Sequence, residues 1–184
     1  MKPDVSKATR PPTDCRPTKR PRCSSMQTIN CGWALPTEFI ALTVIDSFGL
    51  IWSIPSPSAT LRNWATAICE YAIEYGRDPV NGGFFYTGPL DGPSDDRKKE
   101  WWTQSEVLVA MLTMHRLTGE KKYRDIFDET FAFINKHQVS PQGGWWSTVS
   151  EDGSLGSNRN RTTMWQGAYH NGRALLLCEQ LLRK

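Results

Sequence analysis

The stretch GGWWSTVSEDG, residues 143–153, repeats an earlier one, GGFFYTGPLDG at 82–92. Both read Gly-Gly-aromatic-aromatic-x-Thr-x-x-x-Asp-Gly, and they align without a gap. A strand, an Asp-Gly turn and a return strand make a hairpin, so each stretch predicts one. Each lies between two segments of helical pattern, and each leads to a helix whose mouth carries Trp: Trp101 and Trp102 in one case, Trp165 in the other. An outer helix, a hairpin and an inner helix, occurring twice, are the signature of a toroid of helical hairpins. In such a ring the inner-helix N-termini and the long loops share one end, and a pocket belongs there.

Hydrophobic spacing supplies the helices. Leu61, Trp64, Ala65, Ile68 and Ala72 predict a first apolar stripe, with Arg62, Asn63, Glu70 and Glu74 mostly off it. Val107, Ala110, Met111, Met114 and Leu117 predict a second helix over about 102–117, closed by Gly119 as a C-cap. A third, about 121–137, carries Tyr123, Ile126, Phe127, Phe131 and Ile134 on one face. The fourth, about 167–183, is apolar almost all round from Ala174 to Cys178. One-faced helices one and three belong outside, and helices two and four inside. The links from one to two and from three to four are long, which in a compact domain usually marks function.

Composition narrows the class. The chain has 184 residues and a formal charge of +3, too small to imply nucleic acid. Seven Lys/Arg against two Asp fall within residues 1–25, so the excess is confined to the front. Eight Trp is unusual, and clustered indoles suit either a core or the C–H faces of sugars. Five cysteines without C-x-x-C spacing argue against a disulfide framework or zinc site and for reduced thiols in the cytoplasm.

The front differs in kind. Residues 1–36, rich in Pro, Arg, Lys, Thr and Ser, predict disorder. The apolar run FIALTVIDSFGLIWSI, 39–54, is short for a membrane span and interrupted by Asp46, and too far from the start for a signal peptide. PSPSAT at 55–60 breaks the chain. Two regions follow: 1–60, irregular or disordered, and 61–184, helical.

Trp102 and Glu106 lie four apart, on one face of a helix start, where an indole can stack a sugar and a carboxylate can accept its hydroxyl hydrogens. The competing reading makes Trp102 packing and Glu106 a complement to the helix dipole. His170 falls near the start of helix four, with Trp165 just before it. A helix N-terminus disfavours the imidazolium and leaves a neutral ring able to accept a proton. On position alone, a core histidine bonded to the hairpin backbone is the favoured reading. His115 lies roughly 20 Å along its helix from Trp102, at the far end. His137 closes helix three, where a cation favours the C-terminal dipole. No Ser-His-Asp order, phosphate loop or metal-ligand cluster is present, so neither metal nor cofactor is expected.

KKEWWTQSEVLVAML (98–112), LTGEKKY, FINKHQVSPQGGWW and above all WQGAYHNGRALL (165–176) resemble the C-terminal part of the N-acylglucosamine 2-epimerase family. That family includes cellobiose 2-epimerases and mannose isomerases. The likeness covers 61–184, and the W-x-x-x-Y-H-N-G-R element is its most specific part. It implies an all-α fold, a partial (α/α)6 barrel of about four helices out of twelve, with two hairpin loops. It implies a small reducing sugar as substrate, with no nucleic acid or membrane partner; a homo-oligomer is compatible with it. His170 matches a catalytic histidine that takes the C2 proton to form an enediolate. Trp102 and Trp165 match sugar-stacking tryptophans, and Glu106 a substrate-side carboxylate.

The resemblance leaves out the family's other catalytic histidine and its sugar-binding arginine and asparagine, which belong to earlier helices. Open-ring helices two and four should then expose apolar flanks, and a truncated product, inactive alone, is expected. Two other classes compete: a non-catalytic carbohydrate-binding module that keeps the Trp platform, and an (α/α)6 glycoside hydrolase. The hydrolase needs a carboxylate pair, for which Glu106 has only Asp95 and Asp96 nearby in sequence.

Overall fold

Ser58 starts the first helix, its hydroxyl accepting from the Leu61 N–H at 3.3 Å as an N-cap. A computed structural model of the chain describes residues 58–89, 92–157 and 159–183. The elements are α1 (Ala59–Gly76), β1 (Lys99–Glu100), α2 (Trp101–Thr118), α3 (Lys121–Phe133), β2 (Thr148–Val149) and α4 (Tyr169–Leu182). The expectations for residues 1–57 lie outside the described residues. Of the expected chain break at 55–60, Ala59 and Thr60 are already helical.

α2 is the axis. Every residue from Trp101 to Met114 is buried except half-buried Trp102, with α3 and α4 packed along it and α1 touching it more lightly. Leu108, Met111 and Met114 of α2, with Tyr123 and Ile134, are almost wholly sealed. Each side chain of that size contributes about 1.5–3 kcal/mol on burial. Gly119 ends α2 at φ 74°, and its N–H reaches the His115 carbonyl at 2.8 Å, the left-handed cap that the sequence predicts.

α3 buries Tyr123, Ile126, Phe127, Thr130 and Phe133 as one face, and runs on into a π-helical turn, Ile134–Gln138. The Val139 N–H closes that turn on the Ile134 carbonyl at 2.9 Å. Phe131 is 39% exposed and stacks on Phe127 at the rim. In α1 the buried line runs through Ala65 and Cys69, whereas Trp64, expected in the stripe, is half exposed. In α4 only Ala174, Cys178 and Leu181, spaced by four and three, are buried. Leu175, Leu176 and Leu182 stand open to solvent, so α2 is an inner helix and α4 presents the bare apolar flank expected of an open ring. α2 itself shows no such flank among the described residues.

The two repeats form loose hairpins joined to each other. In the first, the Tyr86 N–H bonds the Lys98 carbonyl at 2.8 Å and the Asp96 N–H bonds Thr87 at 3.2 Å. In the second, the Ser147 N–H reaches the Asn160 carbonyl at 2.8 Å. The only regular ladder among the described residues is β1 against β2, antiparallel, with Lys99 opposite Val149 and Glu100 opposite Thr148. It stitches repeat one to repeat two, an arrangement that reading each repeat by itself does not predict.

Both Gly-Gly pairs turn through positive φ: 81° and 76° at Gly82 and Gly83, 88° and 73° at Gly143 and Gly144. The aromatic after each pair is held by a glutamine from the following inner segment. Gln104 bonds both the N–H and the carbonyl of Phe84, at 2.9 and 2.6 Å, and Gln166 donates to the Trp145 carbonyl at 2.8 Å. A Cβ on Gly83 would meet Gln104 at 2.8 Å, so only glycine fits this clamp.

Beneath the hairpins lies a buried cation. The Lys99 ammonium, 0% exposed, donates to Asp78 Oδ2 at 2.8 Å, the Gly82 carbonyl at 2.6 Å and the Glu151 carbonyl at 2.8 Å. It also faces the Phe133 ring at 4.1 Å. All three of its hydrogens are used, and the end of α3 and both repeats meet at one atom.

Candidate active site

α2 and α4 each begin beside a hairpin, and their side chains meet at those first turns. Glu106, 1% exposed, lies one turn into α2. His170 is the second residue of α4, and its Nδ1 stands 2.7 Å from Glu106 Oε1. Arg173, one turn further along α4, places a single nitrogen, Nη2, 2.5 Å from both Glu106 oxygens. The side chains of His170 and Arg173 are 20% and 22% exposed, so the buried carboxylate lies under a partly open pair of partners.

The charges fix the tautomer. A guanidinium keeps its proton, and its charged contact with both oxygens favours the ionised carboxylate. An ionised carboxylate can only accept, so the shared hydrogen is on Nδ1, and in the neutral ring the lone pair falls on Nε2. Nε2 has no hydrogen-bond partner among the described residues.

Aromatic rings wall the imidazole. Trp101 lies edge-on at 5.2 Å between centroids, Trp102 tilted at 6.0 Å and Tyr169 edge-on at 4.9 Å. Trp101 is buried and Trp102 half-buried, so Trp102 is the indole that a ligand can reach. Tyr86, from the first hairpin, meets Trp102 edge-on at 6.1 Å.

Of the four residues singled out from sequence, the structure therefore joins Trp102, Glu106 and His170. Glu106 faces His170 and Arg173, and both of its oxygens are taken. Trp165 is 78% exposed, in the loop before α4, and makes no ring contact with Trp102 or His170 among the described residues. Arg173 and Trp101 were not singled out. Arg173 was legible, since it lies three residues beyond His170 and so on the same helix face.

The other histidines serve structure. His115 Nδ1 is 3.1 Å from the Glu120 carbonyl at the far end of α2. His137 packs on Phe133, and a Cβ on Gly153 would come within 2.3 Å of its ring. Burial first, then Lys136, push the His137 imidazole below its usual range, which works against the cationic cap expected from its position. Cys69 and Cys178 are free, and burial first, then the neighbouring Glu70 and Glu106 charges, raise both thiols to about 12. Among the described residues, no His, Cys, Asp or Glu cluster could hold a metal, and no helix is long and apolar enough to cross a membrane.

Comparison with known proteins places the fold and the family. The chain is 29% identical over 166 residues to a cellobiose 2-epimerase of Bacteroides fragilis, covering 90% of this chain and 38% of that relative. It is 29% identical over 112 residues to the N-acylglucosamine 2-epimerase of Bos taurus, covering 58% and 26%. Among solved structures, a D-mannose isomerase superposes with a TM-score of 0.69 at 20% identity, over 82% of this chain and 37% of that one. The cellobiose 2-epimerase from Spirochaeta thermophila superposes at 0.61 with 26% identity, over 78% and 35%. The chain thus spans well under half the length of these relatives, and its described helices are part of an (α/α)6 barrel. The family model for N-acylglucosamine 2-epimerase (GlcNAc 2-epimerase) matches residues 47–174, starting ahead of the compositional boundary at 60 and taking in both helix mouths and His170. The chain belongs to the N-acylglucosamine 2-epimerase family.

Proposed function

We infer that this chain carries one proton-transfer half of a sugar 2-epimerase or aldose–ketose isomerase site, with His170 as the acid/base. The observation that carries the reading is the 2.7 Å bond between His170 Nδ1 and buried Glu106, which leaves Nε2 as the acceptor beside Trp102. Trp102 supplies the stacking face, and Trp165, exposed at the loop, is a second indole for the sugar. Glu106 and Arg173 orient the ring.

The sugar opens to its aldehyde. Nε2 takes the C2 proton, the C–H pair moves to C1–C2, and the C1 carbonyl pair moves to oxygen, giving the enediolate. Return of a proton to C2 on the opposite face gives the epimer. Return to C1, with the O2 hydroxyl proton passed to the O1 oxyanion, gives the ketose. One base on one face accomplishes the second outcome; the first needs another acid opposite, or turnover of the intermediate. His137 and His115 do not supply that acid, because one packs on Gly153 and the other lies at the far end of α2.

The chain is tested by incubation with mannose, N-acetylmannosamine and cellobiose in deuterated water, read by NMR. A half-site that does not complete the epimerisation still exchanges the C2 proton. Deuterium is therefore expected to enter at C1 or C2, and His170→Ala to slow it by about 10²–10⁴-fold, the usual contribution of a positioned acid/base. Sugar binding without exchange in the unsubstituted chain would contradict the reading and favour a non-catalytic binding module.

A further inference from the structure

The two Gly-Gly repeats are clamped unequally. In the first, Gln104 is the fourth residue of α2, and its amide satisfies both backbone groups of Phe84. In the second, Gln166 lies three residues ahead of α4 and makes only the donor half, to the Trp145 carbonyl at 2.8 Å. The halves left over are complementary. Among the described residues, Gln166 Oε1 is buried with no hydrogen-bond partner and the Trp145 N–H has no acceptor. A buried acceptor left unpaired is costly, and the donor it lacks belongs to the residue it already holds.

What separates the two clamps is one turn of helix. Thr163 already caps that turn: its hydroxyl accepts from the N–H groups of Trp165 and Gln166 at 3.3 and 3.1 Å, the second and third positions after a cap. α4 nevertheless begins only at Tyr169. Gly167 accounts for the gap, because glycine disfavours a helix interior. Wound from Met164, the helix would carry Gln166, His170 and Arg173 on one face, at spacings of four and three. Trp165 would then come beside Tyr169, four residues on, whose ring is already edge-on to His170.

We propose that Gln166 is a positioning residue for the site: sugar binding winds residues 164–168 onto α4, closes the second Gln166–Trp145 bond and brings Trp165 in from solvent. The proposal rests on the reading of His170 as the reacting centre. Gln166 acts through the second hairpin and through Trp165, not on the reacting atoms.

Amide hydrogen exchange of the full chain, read by NMR with and without saturating mannose, tests this in the unsubstituted protein, Gln166→Met and Gly167→Ala. Mannose is expected to slow exchange of the Trp145 N–H by about tenfold or more in the unsubstituted chain. Gln166→Met abolishes that protection while the Leu108 and Met111 amides of α2 keep theirs, which a general loss of structure would not allow. A methyl at Gly167 meets nothing within 4 Å. Alanine there favours the wound turn over glycine by about fivefold. Gly167→Ala is therefore expected to slow Trp145 exchange before any sugar is added and to tighten mannose by up to about fivefold. The sugar-free slowing is absent when Gln166→Met is combined with it. Bound mannose with Trp145 exchange unchanged, or weaker mannose binding in Gly167→Ala, overturns the clamp and leaves the His170 reading intact. Failure of mannose to bind overturns that reading and the proposal with it.

Discussion

Glu106→Ala is expected to destabilise the chain by about 3–5 kcal/mol, the range for breaking a buried ion pair by removing one partner. The carboxylate is 1% exposed and is the shared acceptor of His170 and Arg173. Deleting it removes the carboxylate that the Arg173 guanidinium bonds and leaves the imidazole Nδ1–H without its acceptor. Few single-domain proteins have more than about 5–15 kcal/mol to lose, so a large shift in urea midpoint is expected. Glu106→Gln keeps the volume and one carbonyl acceptor for Nδ1. It is expected to cost less, about 1.5–3 kcal/mol, the range of a lost charged hydrogen bond. Equal and small losses in both variants would show that the triad contributes little to holding α4 on α2.

Lys99→Met is expected to be comparably severe, again about 3–5 kcal/mol, because it leaves Asp78 buried and unpaired. Asp78 and Lys99 are both 0% exposed, and the ammonium also satisfies two carbonyls, one from each repeat. The same pair gives stability a pH dependence. Burial would raise the Asp78 carboxyl, but the bonds from Lys99, Asn81 and Val80 outweigh it and bring it to about 2 from an ordinary 3.8. A carboxyl depressed on folding binds fewer protons in the folded state. Its contribution is therefore complete above pH 3.8 and is lost as pH falls from there through about 2. Acid titration of the unfolding midpoint should show this loss, and Lys99→Met should flatten it. An unchanged acid limb in that variant would assign the depression to the Asn81 and Val80 bonds instead.

The helices were legible because apolar residues recur at helical spacing and because Gly119 can take the left-handed cap that ends α2. The repeat at 82–92 and 143–153 was legible as two hairpins, but not the β1–β2 ladder, since pairing between distant segments leaves no local pattern. Lys99 belongs to the charged run RKKE, which reads as solvated surface. Only the fold turns one of its four residues inward onto Asp78. Trp64 has the right spacing to be buried, yet α1 meets α2 through Ala65 and Cys69, one position round the helix. At the site, His170, Trp102 and Glu106 were legible from helix position and family resemblance. The direction of Glu106, towards histidine and arginine rather than a sugar, depends on how α4 docks on α2, which no spacing within α2 reveals.

The tautomer of His170 tests the account most directly, because every functional step begins at Nε2. Side-chain nitrogen-15 NMR of the labelled chain at neutral pH should show a protonated Nδ1 and a bare Nε2. A proton on Nε2, with Nδ1 bare, would mean that Glu106 does not accept from the ring and that the atom facing the sugar is a donor, contrary to the mechanism.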